Sequence, residues 1–178
     1  MNDSDWAILL LRVATGLTVA AHGYGKIFLG GRLAGTARWF DGIGMRPGRW
    51  HARAAAGTEV GAGLLLAAGL MTSLAAAAIV ALMAVAAWTV HRHNGFFIVA
   101  SGWEYNAVLA VNAIVVAVAG HGALSLDHLI TRESGFLVGW PGLLIAAGGG
   151  VLAAVAHLAA FYRPRVAAPE GAEPSEIR

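Results

Sequence analysis

Between Trp6 and Phe28 the chain runs through an apolar stretch that nevertheless carries Arg12, His22 and Lys26. On a helical wheel these three fall, with Thr15, Gly16, Val19 and Gly23, within an arc of about 120°. A charge near the centre of a bilayer costs roughly 2.5–3.5 kcal/mol on insertion scales, so such a stripe has to face protein. One segment therefore sets two conditions. The chain lies in a membrane, and other segments must bring polar groups to the same depth.

Composition supports the first condition. Of the 178 residues 58% are hydrophobic and 12% charged, about half the ~25% charged content of a soluble domain. In water such a chain would expose larger apolar patches than soluble monomers carry. The expected class is all-α integral membrane, in one helical domain. The net charge is only +2, and the arginines sit in loops beside apolar runs. That placement follows the positive-inside rule and makes no case for a nucleic-acid partner. There is no cysteine, which excludes disulfides, thiolate metal sites, iron–sulfur ligation and thiol exchange by this chain. A redox role would need a bound cofactor, a quinone or a partner subunit. The start, Met1 to Asp5, is acidic and lacks a signal peptide's basic region, so the first run is expected to be a retained span.

Five runs meet the length of a spanning helix: Trp6–Phe28, Ala52–Leu70, Thr72–Val90, Trp103–Gly120 and Leu137–Tyr162. Their solid Ala, Leu and Val content excludes the alternation of a barrel. Trp6, Trp50, Trp88, Trp103 and Trp140 stand at run ends, as do Tyr24 and Tyr162, the positions of interfacial aromatics. Residues 1–136 thus read as a four-helix membrane domain, 137–162 as an additional transmembrane helix, and 163–178 as a disordered polar tail. With the N-terminus outside, Arg32, Arg38, Arg46, Arg49, Arg53, Arg92, Arg163, Arg165 and Arg178 lie inside and only Arg132 outside. The expectation is a multi-pass protein of the bacterial cell membrane with its C-terminus in the cytoplasm. In the first loop Leu33, Thr36, Ala37, Phe40, Ile43 and Gly44 recur at i, i+3, i+4 spacing. They predict a short interfacial helix on the cytoplasmic face.

The polar residues converge on that side. His22 and Glu59 fall at similar depths, roughly 9–10 Å in. Glu59 can pair with His22 or with Lys26, which offsets the cost of burying a carboxylate. Gly57 and Gly61, a small-xxx-small pair around Glu59, suggest close approach of another helix. The third loop adds His91, His93, Glu104, Tyr105 and Asn106 at the same end. The candidate cluster for a quinone or another small molecule is therefore His22, Lys26, Glu59, His91, Glu104, Tyr105 and Asn106. Phe96 and Phe97 offer an apolar slot for a tail. A metal at His91 and His93 is a weaker candidate, because His-x-His on a helix turns the rings about 200° apart. Haem would need His22 to face His91. His157 reads as a hydrogen-bonded packing residue. The other side offers Arg12, His121, Ser125, Asp127 and His128, and Arg12 either snorkels or meets a separate partner.

The order of short motifs resembles the DoxX family. It begins with His22-Gly23-Tyr24-Gly25-Lys26-Ile27-Phe28, then Gly35-Thr36-Ala37-Arg38-Trp39-Phe40 and Gly42-Ile43-Gly44-Met45. Glu59 in its Gly-rich setting, Gly69-Leu70-Met71-Thr72 and Asn94-Gly95-Phe96-Phe97 follow. Gly102-Trp103-Glu104-Tyr105-Asn106 and Leu124-Ser125-Leu126-Asp127 complete it, so the resemblance runs from about residue 6 to 130. Trp103 stands where the family pattern has Tyr, and the fifth span lies beyond the family core. The resemblance implies a four-helix fold with polar positions at His22, Lys26, Glu59, Glu104 and Asn106. It also implies a link to quinone-dependent or oxidative-stress membrane complexes, through relatives such as a thiosulfate:quinone oxidoreductase subunit. Three readings stand: a subunit of a redox-linked complex holding a quinone; a non-catalytic scaffold subunit of a larger complex or homo-oligomer; and a small-molecule or lipid carrier.

Overall fold

The structure, a computed structural model, describes residues 2–131 and 137–164. Arg132 and the tail from 165 onward, which enter the expectations on charge and disorder, lie outside the described residues. Among the described residues all regular structure is helical. The elements are α1 (Asp3–Phe28), α2 (Arg32–Gly42), α3 (Gly48–Ala68), α4 (Thr72–Asn94), α5 (Glu104–Ala119), α6 (Leu126–Thr131) and α7 (Trp140–Phe161). The protein is an all-α membrane protein. Among the described residues three helices, α1, α4 and α7, are long and apolar enough to cross a bilayer. Helix α3 is long enough, but Arg49, His51, Arg53 and Glu59 lower its hydropathy. Helix α5 has 16 residues, about 24 Å of rise, and is short for a 30 Å core.

The expected runs reappear with shifted ends, and local chemistry explains the shifts. Helix α1 starts early because Asn2 and Asp5 form a reciprocal capping box, with Asp5 N on the Asn2 side chain at 3.0 Å and Asn2 N on the Asp5 carboxylate at 2.9 Å. Asp3 and Asp5 also suit the positive end of the helix dipole. Helix α3 starts at Gly48, whose N–H donates to Asp41 Oδ1 at 2.7 Å. It stops at Gly69, which adopts a left-handed conformation with φ of +64°. Helix α4 continues to Asn94 through a widened π turn at Ala87–His91, a distortion common at functional sites.

Helices α1 and α3 run antiparallel and touch backbone to backbone. A Cβ added at Gly16 would overlap Gly63 O, and one added at Gly63 would lie 2.5 Å from Gly16 O. Gly57 and Gly61, expected to admit another helix, have nothing within 4 Å of where a Cβ would stand. The close approach therefore uses the other face of α3, because that face carries Ala56, Glu59, Gly63 and Ala67 toward α1. Helix α4 packs antiparallel to α5 and parallel to α7, with Gly150 against Val80 and Ala77. Val19, Leu66, Ile79, Leu109, Val116 and Ala146 fill the centre between them.

Helix α2 forms where the spacing predicts it, but it does not rest its apolar face on lipid alone. Leu33, Ala37, Phe40 and Ile43 close over Ala52, Ala55, Val85 and Leu158 at the ends of α3, α4 and α7. Met45 pairs with Tyr162 in an isolated bridge, and Arg163 N donates to Gly44 O at 2.8 Å. The first residues of the expected tail are thus tied to the first loop. The α1 C-terminus, α2, the starts of α3 and α5, and the ends of α4 and α7 gather at one end of the bundle, beside most of the arginines.

Candidate functional site

At that end the bundle forms a half-open cavity of about 580 Å³, within the range of small-molecule sites. Every long helix contributes a wall: His22 and Lys26 from α1, His51, Thr58 and Glu59 from α3, Met83, Thr89 and His91 from α4. Tyr105 and Asn106 come from α5, Ala153, Ala154 and His157 from α7, and Trp39 and Phe40 of α2 close it over. Most of the lining is apolar, alanine above all, so a few polar groups define its chemistry.

Two side-chain pairs stand out. Lys26 Nζ donates to both carboxylate oxygens of Glu59, at 2.6 and 2.7 Å, joining α1 to α3. Glu59 is 9% exposed and Lys26 26%, so the ammonium shields a carboxylate that is nearly out of reach of solvent. By depth alone Glu59 could pair with either His22 or Lys26. The Lys26 side chain reaches it, while His22, one turn away, turns to α5. His22 Nε2 lies 2.9 Å from the Tyr105 hydroxyl, a proton-sharing pair whose donor depends on the imidazole tautomer. Asn106 is buried, and its amide meets Met83 Sδ at 3.7 Å, a weak acceptor that leaves most of its hydrogen-bonding capacity for a better one.

The remaining candidates separate. His91 lines the cavity and its Nδ1 meets Ser101 O at 2.7 Å, which assigns the proton to Nδ1 and leaves Nε2 as an acceptor. Glu104 does not line the cavity. Its Oε2 accepts from Ile98 N at 2.8 Å and closes the loop before α5. His93 accepts from Arg92 Nε at 3.0 Å on the exposed side of the chain. Phe96 packs against both Phe97 and Trp103, outside the cavity. Among the described residues no group of three His, Asp or Glu side chains is placed to hold a metal ion.

Two histidines of the wall were not among the expected site residues. His51 and His157 meet edge to face, with ring centroids 5.1 Å apart. His51 Nε2 is buried without a hydrogen-bond partner, which costs about 1–3 kcal/mol when nothing fills the role. A signal was present. His51, Ala55, Thr58 and Glu59 follow i, i+4, i+7, i+8 spacing, which puts His51 on the face of α3 that carries Glu59. His157, expected to be a hydrogen-bonded packing residue, makes ring contacts with His51 and Phe161 instead.

The opposite end is a separate structure. Arg12 does not snorkel. It is 1% exposed, its Nη2 donates to Leu124 O, and its guanidinium lies so close to Gly69 that any Cβ there would overlap it. Asp127, from α6, accepts Met71 N at 2.9 Å, Thr72 N at 3.0 Å and the Thr72 hydroxyl at 2.8 Å. It caps α4 from another part of the chain. Burial opposes its ionisation, but the Thr72 and Met71 hydrogen bonds and the nearby His121 outweigh it. The carboxyl therefore titrates below its ordinary value of 3.8. With the folded-state value below the unfolded one, the stabilisation is complete above about pH 4 and is lost as pH falls through the folded-state value. Asp127→Ala should cost about 1 kcal/mol at neutral pH. It should also flatten the acid limb of a thermal-unfolding series in detergent, relative to the wild type.

The comparisons agree with this architecture. The sequence model of the DoxX family matches residues 7–92. An uncharacterized protein of Haemophilus influenzae is 30% identical over 83 residues, which cover 47% of this chain and 54% of that protein. The chain thus spans about half the length of that curated relative. No solved structure matches. The family match ends at Arg92, before the Gly102–Asn106 and Leu124–Asp127 motifs. It takes in α1 to α3, most of α4 and both partners of the Lys26–Glu59 pair. Over residues 7–92, just under half of its length, the chain is similar to the DoxX family of membrane proteins.

Proposed function

We propose that the protein holds a quinone-class molecule in the cavity at the Lys26 end, as the membrane subunit of a redox-linked complex. The observation that carries this reading is the cavity itself. It offers about 580 Å³ of mainly apolar space, and the His22–Tyr105 pair, Asn106 and His91 contribute groups that can donate or accept at its walls. A quinone has the matching chemistry, an apolar ring and tail with two carbonyl oxygens, and when bound it supplies two-electron, two-proton redox capacity. The residues' own part is to place those oxygens and to pass protons. His22 and Tyr105 are built for that exchange, since a proton on either is shared across 2.9 Å. Lys26 and Glu59 hold α1 and α3 in register beside them. Electrons would come from a partner subunit.

The arginine-rich end faces the cytoplasm of a bacterial cell in this reading, following the positive-inside rule. Mass spectrometry of the gently solubilised protein tests it, through bound quinone and co-purifying subunits. Tyr105→Phe, which keeps the ring and removes the hydroxyl, is expected to lower quinone retention about tenfold while costing only about 1 kcal/mol of stability, the worth of its bond to His22. A wild type that carries no quinone and binds none when supplied would defeat the proposal.

One observation favours a second reading. Lys26 donates to both carboxylate oxygens of Glu59, as a register lock needs and a working acid–base pair does not. A scaffold subunit, or a carrier of some other small molecule, would keep that lock, and the former would co-purify with partner subunits but no quinone.

A further inference from the structure

We propose that His51 is a ligand-binding residue of the cavity, donating through Nε2 to an oxygen on a planar apolar ring. The proposal rests on the quinone-class reading and adds the residue that orients the ring. His51 sits in the first turns of α3, is 5% exposed and lines the cavity. Its Nε2 has no hydrogen-bond partner. Buried polar atoms are nearly always paired in native proteins, so an orphan on a cavity wall marks the place of a missing partner. The surroundings define that partner's shape. Phe40, His157 and Phe161 stand around the imidazole with centroids 5.9, 5.1 and 5.1 Å away. Phe40 and His157 also line the cavity, and such walls suit the face or edge of a flat ring.

The position matters as well as the chemistry. His51 and Glu59 lie on the same side of α3, eight residues or about 12 Å of rise apart. The cavity therefore has two polar regions along its length. Near Glu59 two pairs, Lys26–Glu59 and His22–Tyr105, already bond to each other, and the Asn106 amide meets Met83 Sδ. At the α2 end His51 alone has an unused nitrogen among the buried side chains of the wall. A molecule entering between them completes the bond at His51 without breaking one elsewhere.

The test uses the full chain in detergent, with a short-chain ubiquinone bearing one isoprenoid unit as probe. Binding is read from quenching of tryptophan fluorescence, since Trp39 lies in the cavity wall. His51→Phe should weaken binding about tenfold. His51→Gln, which keeps an N–H donor, should stay within about threefold of the wild type. A Phe variant that binds as well as the wild type, or a Gln variant as weak as the Phe one, overturns the role of His51 and leaves the quinone-class reading standing. A wild type that shows no saturable binding removes both. If His51→Phe does not fold, nitrogen NMR of histidine-labelled wild type decides. The His51 Nε2 resonance shifts on saturation with the probe if the proposal holds, and stays unmoved if it fails.

Discussion

Lys26→Met should destabilise the protein by about 3 kcal/mol, the lower end of the range for breaking a buried ion pair by removing one partner. The reason lies in the asymmetry of the pair. Glu59 is 9% exposed and receives both of its short hydrogen bonds from Lys26 Nζ. Without the ammonium a carboxylate remains in a mainly apolar wall, in which alanine is the commonest residue. Glu59→Gln should cost less, because Lys26 is 26% exposed and lies near the end of α1, where its flexible stem can carry the charge to water. The double variant Lys26→Met with Glu59→Leu should recover most of the loss, since an apolar replacement of a whole buried pair is often neutral or better. Thermal or denaturant unfolding in detergent, arranged as a double-mutant cycle, measures the coupling. Additive losses would show that the pair does not hold α1 to α3.

Gly16→Val should have an effect at least as large. Overpacking typically costs about 1–3 kcal/mol when neighbouring side chains can give way. At Gly16 the obstacles to an added Cβ are Gly63 O, which it would overlap, and Ala67 N at 2.7 Å. Backbone cannot rotate aside, so α1 and α3 must separate along their length, and a cost of about 3 kcal/mol or more follows. The separation also draws Lys26 away from Glu59. Gly57→Ala and Gly61→Ala provide the contrast. Both positions open onto free space, so the replacement should be neutral or stabilising by up to about 1 kcal/mol through helix propensity. Equal losses at Gly16 and Gly57 would contradict the packing described.

Much of the fold was legible along the chain. Membrane residence, the helical runs and the amphipathic helix in the first loop each rest on composition or periodicity, which are local properties. The basic stripe of α1 was visible for the same reason. Glu104 shows where such reading stops. Its position beside Tyr105 and Asn106 suggested the cavity, but one rotation about the helix start turns it to Ile98 N, where it serves the loop. His51 shows the converse. Sequence reading passed over it although the i, i+4, i+8 spacing puts it on the face of Glu59, and only the ends of α2 and α7 folding over it made that face a cavity wall.

The opening stripe divides along the same line. Its sequence by itself determined that Arg12, His22 and Lys26 share one face and must meet protein, because helical periodicity and the cost of charge in lipid are indifferent to the neighbours' identity. Tertiary structure alone decided that Arg12 ends at Leu124 O, His22 at Tyr105 and Lys26 at Glu59. Hydrogen bonds reach about 3 Å, so partners depend on how far each helix is turned and how closely it approaches. The backbone contact of Gly16 with Gly63 sets that approach for α1, and it is a contact between residues 47 positions apart that no local pattern encodes.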